Sequence, residues 1–320
     1  MQVLTTDRAA AVAAPSRFAD GAAYVDDAYV PVAEARIPIL DWGFLRSDST
    51  YDVAHVWKGR FFRLERHLER FEASMAGLRM TIPHKRGELV EILLNLVRLS
   101  GLRDAYVHML CTRGTPPKGT RDPRRCLNRF AAFAVPFIWI ADEAMRRRGI
   151  DLHISSVPRI PPESVDPRIK NYHWGDMTRS LFEAYDVGCD MPVLLDLKGN
   201  VAEGPGFNLF CVKDGTVTTP AETCLGGITR QTALDLLADL NVKTVIGDIP
   251  KDALKRADEV FITSTAGGVI AVARIDHAPV ADGEIGPLTK RLVDLYWQRH
   301  DEGWEATPVD YAAEIDVTMR

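Results

Sequence analysis

The sequence predicts an α/β protein of mixed (α+β) sheet, built as two domains. Three observations lead there. Many short strand-like runs are mixed with a few helical ones. A chain of 320 residues is long enough for two cores. No GxGxxG fingerprint and no GxxxxGK[ST] loop occurs, so neither a nicotinamide domain nor a P-loop is signalled. Pro136 and the acidic Asp142-Glu143 mark a crossing. The expected division is an arm over 1–20, a small α/β domain over 21–135, a linker over 136–142 and a large mixed α/β domain over 143–320.

Tyr24 to Pro31 reads as a hairpin around Asp26-Asp27, and Gly43 as a bend between aromatics. Val53 to Trp57 and Arg60 to Phe62 read as strands joined by Lys58-Gly59. Leu64 to Leu78 is an amphipathic helix, with Leu68, Phe71, Met75 and Leu78 at three- and four-residue steps. Gly87 to Leu99 is a second helix, stopped at Gly101. Ala105 to Thr112 alternates, with Tyr106, His108 and Leu110 on one face. A basic loop from Arg113 to Arg129 precedes a strand over Phe130 to Ile140. In the second half, Leu152 to Val157, Met191 to Leu195, Phe207 to Val212 and Phe261 to Thr263 read as strands. Asp214-Gly215 turns the chain into Thr216 to Thr219, and Met177 to Tyr185 and Ile228 to Leu240 read as helices.

Composition narrows the function. The net charge of -5 is modest, and no basic tail, stripe or finger spacing suggests nucleic acid. No apolar run reaches membrane-spanning length. The five cysteines, at 111, 126, 189, 211 and 224, show no paired spacing, which points to reduced thiols and a cytoplasmic location. No metal is expected.

The chemistry centres on Lys170, in Asp166-Pro167-Arg168-Ile169-Lys170-Asn171-Tyr172-His173-Trp174. The nearby prolines oppose a helix, so Lys170 lies at a strand end or in a loop. A lysine in a partly closed aromatic site loses its proton readily and attacks carbonyls. Gly226-Gly227-Ile228-Thr229 at a helix start and Ser264-Thr265-Ala266-Gly267 after a strand each offer exposed N–H groups to an anion. Arg70 either snorkels from its helix edge or points into a cleft and forks onto a phosphate. With an acid at Glu203, these parts are what pyridoxal phosphate chemistry requires: a carbonyl-capturing lysine, an acid for the ring nitrogen, and a nest plus cation for the phosphate.

The same motifs resemble the fold-type IV pyridoxal-phosphate enzymes, a D-amino acid aminotransferase-like fold, from about Tyr24 to the C-terminus. Phe62-Arg63-Leu64-Glu65-Arg66-His67-Leu68-Glu69-Arg70 matches the segment whose last arginine holds the phosphate. Lys170 matches the cofactor-bearing lysine. Glu203-Gly204-Pro205-Gly206-Phe207-Asn208 matches the segment whose glutamate pairs with the pyridine nitrogen. Leu225 to Arg230 and Ser264 to Ala266 match the two phosphate loops, which implies Ile228, Thr229, Ser264 and Thr265 as cofactor contacts.

Within the family, Ser47 to Trp57 and Asn171 to Asp176 are closer to the (R)-selective amine transaminases than to the branched-chain enzymes. That resemblance implies transfer from a small primary amine to pyruvate or another keto acid. The alternatives are a branched-chain or D-amino acid aminotransferase, then an aminodeoxychorismate lyase. It also implies a homodimer. Tyr51, Val53, Tyr106, His108, Trp174, Thr265 and Ala266 are expected around the substrate, and Arg121 or Arg46 against a carboxylate. Two departures stand out: Arg46 stands where those enzymes often carry histidine, and His108 where some carry glutamate. Gly175 replaces the tyrosine that branched-chain enzymes commonly have five residues after the lysine.

Overall fold

The computed structural model describes residues 17–315. Most of the expected arm over 1–20 lies outside the described residues, and residues 17–20 form a turn. The described chain begins with β1 (Ala22–Val25) and β2 (Ala28–Pro31), then α1 (Trp42–Arg46), β3 (Ser49–Trp57), β4 (Arg60–Phe62), α2 (Leu64–Gly77) and α3 (Arg86–Ser100). β5 (Ala105–Thr112) and β6 (Arg129–Pro136) complete the first half. The second half runs α4 (Glu143–Arg148), β7 (Ile150–Ile154), α5 (Gly175–Asp186), β8 (Met191–Val193), β9 (Asn208–Lys213), β10 (Thr216–Thr219) and α6 (Ile228–Asp239). It continues with β11 (Lys243–Ile246), α7 (Lys251–Lys255), β12 (Glu259–Ser264), β13 (Gly268–Ile275), β14 (Ala278–Pro279), α8 (Pro287–Glu302) and β15 (Ala306–Pro308).

Two sheets result, each backed by helices. One has the order β15-β4-β3-β5-β6-β1-β2, and the other β11-β10-β9-β12-β13-β7-β8. The second sheet mixes parallel pairs, such as β7 with β13, and antiparallel pairs, such as β12 with β13. Residues 306–308, read from sequence with the unit 143–320, pair with β4 in the first sheet.

β3 is an interior strand of its sheet and buried along nearly its whole length. Alternation sends Ala54 and Val56 into the core beneath α2 and α3, with Leu68, Phe71, Leu89 and Leu93. It sends Tyr51, Val53 and His55 to the other face, toward the second half. β5 follows the same register, His55 opposite Tyr106 and Val53 opposite His108. The functional face of the first sheet is therefore set by a period of two.

Three local expectations change. The strand expected over Phe130 to Ile140 stops at Pro136, which has no N–H for the ladder. Residues beyond it cross to the second sheet, where the Ile140 N–H donates to the Ala266 carbonyl at 2.7 Å. The strand expected over Leu152 to Val157 is shifted to Ile150–Ile154. Gly43 lies inside α1 and serves close packing, since a Cβ there would come within 2.6 Å of Thr112.

Candidate active site

Lys170 sits in the loop between β7 and α5, with its backbone fastened to the first sheet. Its carbonyl accepts from the Thr50 hydroxyl at 2.6 Å and the Tyr51 N–H at 3.2 Å. Its own N–H donates to Ser74 Oγ at 3.2 Å. The side chain thus projects over the β3 face, with Nζ 4.5 Å from the centre of the Tyr51 ring. Desolvation, with repulsion from Arg70, lowers the Lys170 ammonium to about 8.

Arg70 is held rather than free. Nε and Nη2 donate to the two Asp52 oxygens at 2.7 and 2.9 Å, and Nη1 donates to the Gly226 carbonyl at 3.0 Å. Asp52 also bonds His67 Nδ1 at 2.7 Å. Burial alone would raise the Asp52 carboxyl, but Arg70 and His67 hold it well below the usual carboxylate range. A guanidinium has five N–H donors, so Arg70 keeps two for the cavity it lines. Of the two readings of Arg70, the structure favours a fork fixed in a cleft over a snorkelling side chain.

Glu203 is buried between β8 and β9. One carboxylate oxygen accepts from Arg159 Nε at 3.1 Å and the other from the Leu225 N–H at 3.0 Å. Arg159 is itself buried and donates through Nη1 to Asp176 at 2.7 Å. Burial raises the Glu203 carboxyl, and Arg159 and the Leu225 N–H oppose it.

The two stretches expected to cradle an anion lie at the ends of two elements. Ile228 and Thr229 form the first turn of α6, where no side chain caps the free N–H groups. Asn208 pins the approach, donating to the Leu225 carbonyl at 2.8 Å. Ser264 ends β12, with its hydroxyl on the Gly206 carbonyl at 2.9 Å, and Thr265 follows in the turn to β13. Thr263 Oγ1 is buried on the same wall without a partner.

These groups share one cavity: Lys170, Arg70, Glu203, Ile228, Thr229, Ser264, Thr265, Tyr51 and Trp174 all line it. An adjoining cavity of about 470 Å³ carries Val53, Tyr106 and Ala266, and shares Tyr51, Lys170, Trp174 and Thr265 with the first. Its outer wall is apolar, with Ile138, Ile140, Leu181 and Met191.

Three expected substrate residues stand apart. His108 lies behind the wall, stacked on Tyr51 with ring centres 4.8 Å apart, and its Nε2 is 2.7 Å from the Tyr172 hydroxyl. Burial lowers it to about 4, so it is neutral. Arg46 stacks on Trp42 at 3.5 Å and lines a different cavity, beside Ser164 and Val165. Arg121 is exposed in the basic loop and has no hydrogen bond or ion pair among the described residues.

The sequence reading assigned no role to Asp52, His67, Arg159, Asp176 or Asn208, although all five set the geometry of named groups. Asp52 carried a signal, the one carboxylate in a strand rich in aromatic and β-branched residues. Arg159 gave a weaker one, a lone cation just ahead of a proline-rich loop.

The comparisons agree with this geometry. Residues 49–275 match the family Amino-transferase class IV. The chain is 31% identical over 276 residues to a putative branched-chain-amino-acid aminotransferase of Methanocaldococcus jannaschii, covering 85% of this chain and 94% of that one. It is 34% identical over 238 residues to the branched-chain-amino-acid aminotransferase of Pseudomonas aeruginosa, covering 74% and 77%. Among solved structures it resembles a T.th. branched-chain amino acid aminotransferase with pyridoxamine 5'-phosphate. There the TM-score is 0.84 and the identity 31%, with 91% of this chain and 99% of that chain covered. This chain belongs to the class IV aminotransferases, enzymes of fold type IV.

Proposed function

We propose that this pyridoxal-phosphate-dependent aminotransferase moves an amino group from a small (R)-amine to pyruvate or a similar keto acid. The observation that carries the reading is the cavity beside Lys170. Its walls are mainly aliphatic and aromatic, and Lys170 is the one cation among its lining residues. No guanidinium lines it, and its one carboxylate, Asp190, is already paired with Arg148. An aryl or alkyl amine loses nothing in such a site, because apolar burial favours it. The likeness of Ser47 to Trp57 and Asn171 to Asp176 to the (R)-selective amine transaminases supports the same reading.

The residues fit the cofactor. Uncapped N–H groups at α6, the fixed fork of Arg70 and the unpartnered Thr263 hydroxyl suit a phosphate. Glu203 suits a protonated ring nitrogen, since Arg159 favours its ionised form. When bound, the cofactor supplies an electron sink for the carbon losing its proton. Lys170 Nζ takes that proton and returns it, and its lowered pKa keeps a useful neutral fraction near pH 8. Tyr51 is the phenol lining both cavities beside Lys170. It suits the phenolic side of the cofactor ring, since Tyr172 is occupied by His108.

The keto acid half-reaction needs a cation. Arg121 is the better candidate, because Arg46 is committed to Trp42. We propose that the active form is a homodimer in which the basic loop over 113–129 of a second copy approaches the site. A second reading, branched-chain amino acid transamination, is favoured by the named relatives. Steady-state turnover with pyruvate separates the two. (R)-1-phenylethylamine should outpace leucine and D-alanine, and Arg121→Ala should weaken pyruvate use more than Arg46→Ala. Rapid leucine turnover with no amine activity would leave the branched-chain reading standing.

A further inference from the structure

α5 has an apolar stripe that no core covers. The helix packs on β8, and its buried positions include Met177, Ser180 and Ala184. Trp174, Leu181 and Tyr185 lie on a different side. At about 100° per residue, these three fall within about 40° of one another. A stripe of this kind usually packs against another element. Here all three side chains line the cavity beside Lys170.

The stripe is long. From Trp174 to Tyr185 the chain climbs about 16 Å. Trp174 stands at the reacting end, where it lines both cavities together with Lys170. Met145 on α4 and Met191 and Pro192 on β8 complete the distant walls. Asp190 at that end accepts two bonds from Arg148, so no unpaired charge waits there for a polar substituent. Ile138 and Tyr185 are 51% and 57% exposed, so the apolar lining runs out to solvent.

Volume points the same way. An apolar cavity of roughly 150 Å³ takes one benzene ring. This one, at about 470 Å³, is about three times as large. A phenyl or isobutyl group beside Lys170 leaves the stretch past Leu181 to water. A longer apolar group displaces that water and gains with each carbon buried.

We propose that the amine donor carries an extended apolar substituent, a medium-length alkyl or aryl-alkyl chain, laid along Trp174, Leu181 and Tyr185. This rests on the amine reading of the site and names the donor's class more closely. Leu181 and Tyr185 select for chain length and take no part in the chemistry, since neither lines the cavity that holds Arg70 and Glu203.

Calorimetric titration of the cofactor-loaded enzyme with 2-butanone, 2-hexanone, 2-octanone and 2-decanone tests the subsite separately from turnover, because a ketone has no amino group to give. The dissociation constant should fall by roughly threefold for each added methylene as far as 2-octanone. Leu181→Ser and Tyr185→Ser should each cut that step to below about twofold. Phe182→Ser, on the same helix but outside the cavity lining, should keep the wild-type step. Retained cofactor absorbance would show the variants folded. In turnover with pyruvate, kcat/KM should rise by on the order of tenfold or more from (R)-2-aminobutane to (R)-2-aminooctane. A flat ketone series in wild type, or a wild-type step in both the Leu181 and Tyr185 variants, overturns the subsite even if (R)-1-phenylethylamine turns over rapidly. A steep series that both variants flatten, with no (R)-amine turned over, upholds the subsite and overturns the amine reading instead.

Discussion

Glu203 shows how much of a residue's chemistry is set by its partners. A buried carboxylate alone drifts toward its neutral form, which could not hold a protonated ring nitrogen. Arg159 and the Leu225 N–H counter that drift, and Asp176 in turn orients Arg159. Glu203→Gln removes the charge and keeps the shape. We expect the amine half-reaction to slow by roughly 10²-fold or more, with a smaller change in cofactor affinity. Unchanged single-turnover rates would refute the role. Lys170, Arg70 and Glu203 were legible in the sequence because each sits in a motif with its own chemistry. Arg159 and Asp52 were not, because their meaning lies in pairings 44 and 18 positions away. Arg46 and Arg121 marked the opposite limit: sequence named two arginines, and neither lines the cavity.

At the scale of elements, the first turn of α6 depends on a close approach. A Cβ on Gly227 would come within 2.0 Å of Asn208 Oδ1, so no side chain fits unless Asn208 swings away. That movement breaks its bond to the Leu225 carbonyl and loosens the turn that also donates to Glu203. Gly227→Ala should therefore weaken cofactor binding by about tenfold or more, read by absorbance titration of the cofactor-free enzyme. Wild-type affinity would contradict this account of the loop. Elements with strong periodicity, such as α2, α3 and β5, were readable from their apolar spacing alone. α8 escaped because its buried positions are Thr289, Leu292, Tyr296 and His300, only two of them strongly apolar. β11 is exposed at every position and offers no alternation to read.

The whole molecule is joined across its two sheets partly by a buried histidine pair. His55 on β3 meets His300 on α8 at 3.0 Å between Nε2 atoms, and His300 Nδ1 donates to the Tyr296 carbonyl. Burial lowers His300 to about 4 and holds His55 well below 6.5. The unfolded chain takes up these protons first, near 6.5, so stability contributed by the neutral pair is complete above that pH. It declines as pH falls from about 6.5 toward 4, on the order of 3 kcal/mol for His300. In denaturant titrations, the stability gap between wild type and His300→Gln should shrink from pH 7 to pH 4.5. A constant gap would mean that the pair does not titrate with folding. The family and the two-sheet architecture were legible at this scale. The return of β15 to the first sheet was not, because its pairing joins residues about 245 positions apart. What enters the cavity beside Lys170 decides the reaction, and one measurement reaches it directly. Cofactor-loaded enzyme is mixed with a single amine and no keto acid, and loss of the cofactor's visible band is followed in stopped flow. Rapid loss is expected with (R)-1-phenylethylamine and little with its (S) enantiomer or with leucine; rapid loss with leucine and none with either amine would contradict the (R)-amine assignment.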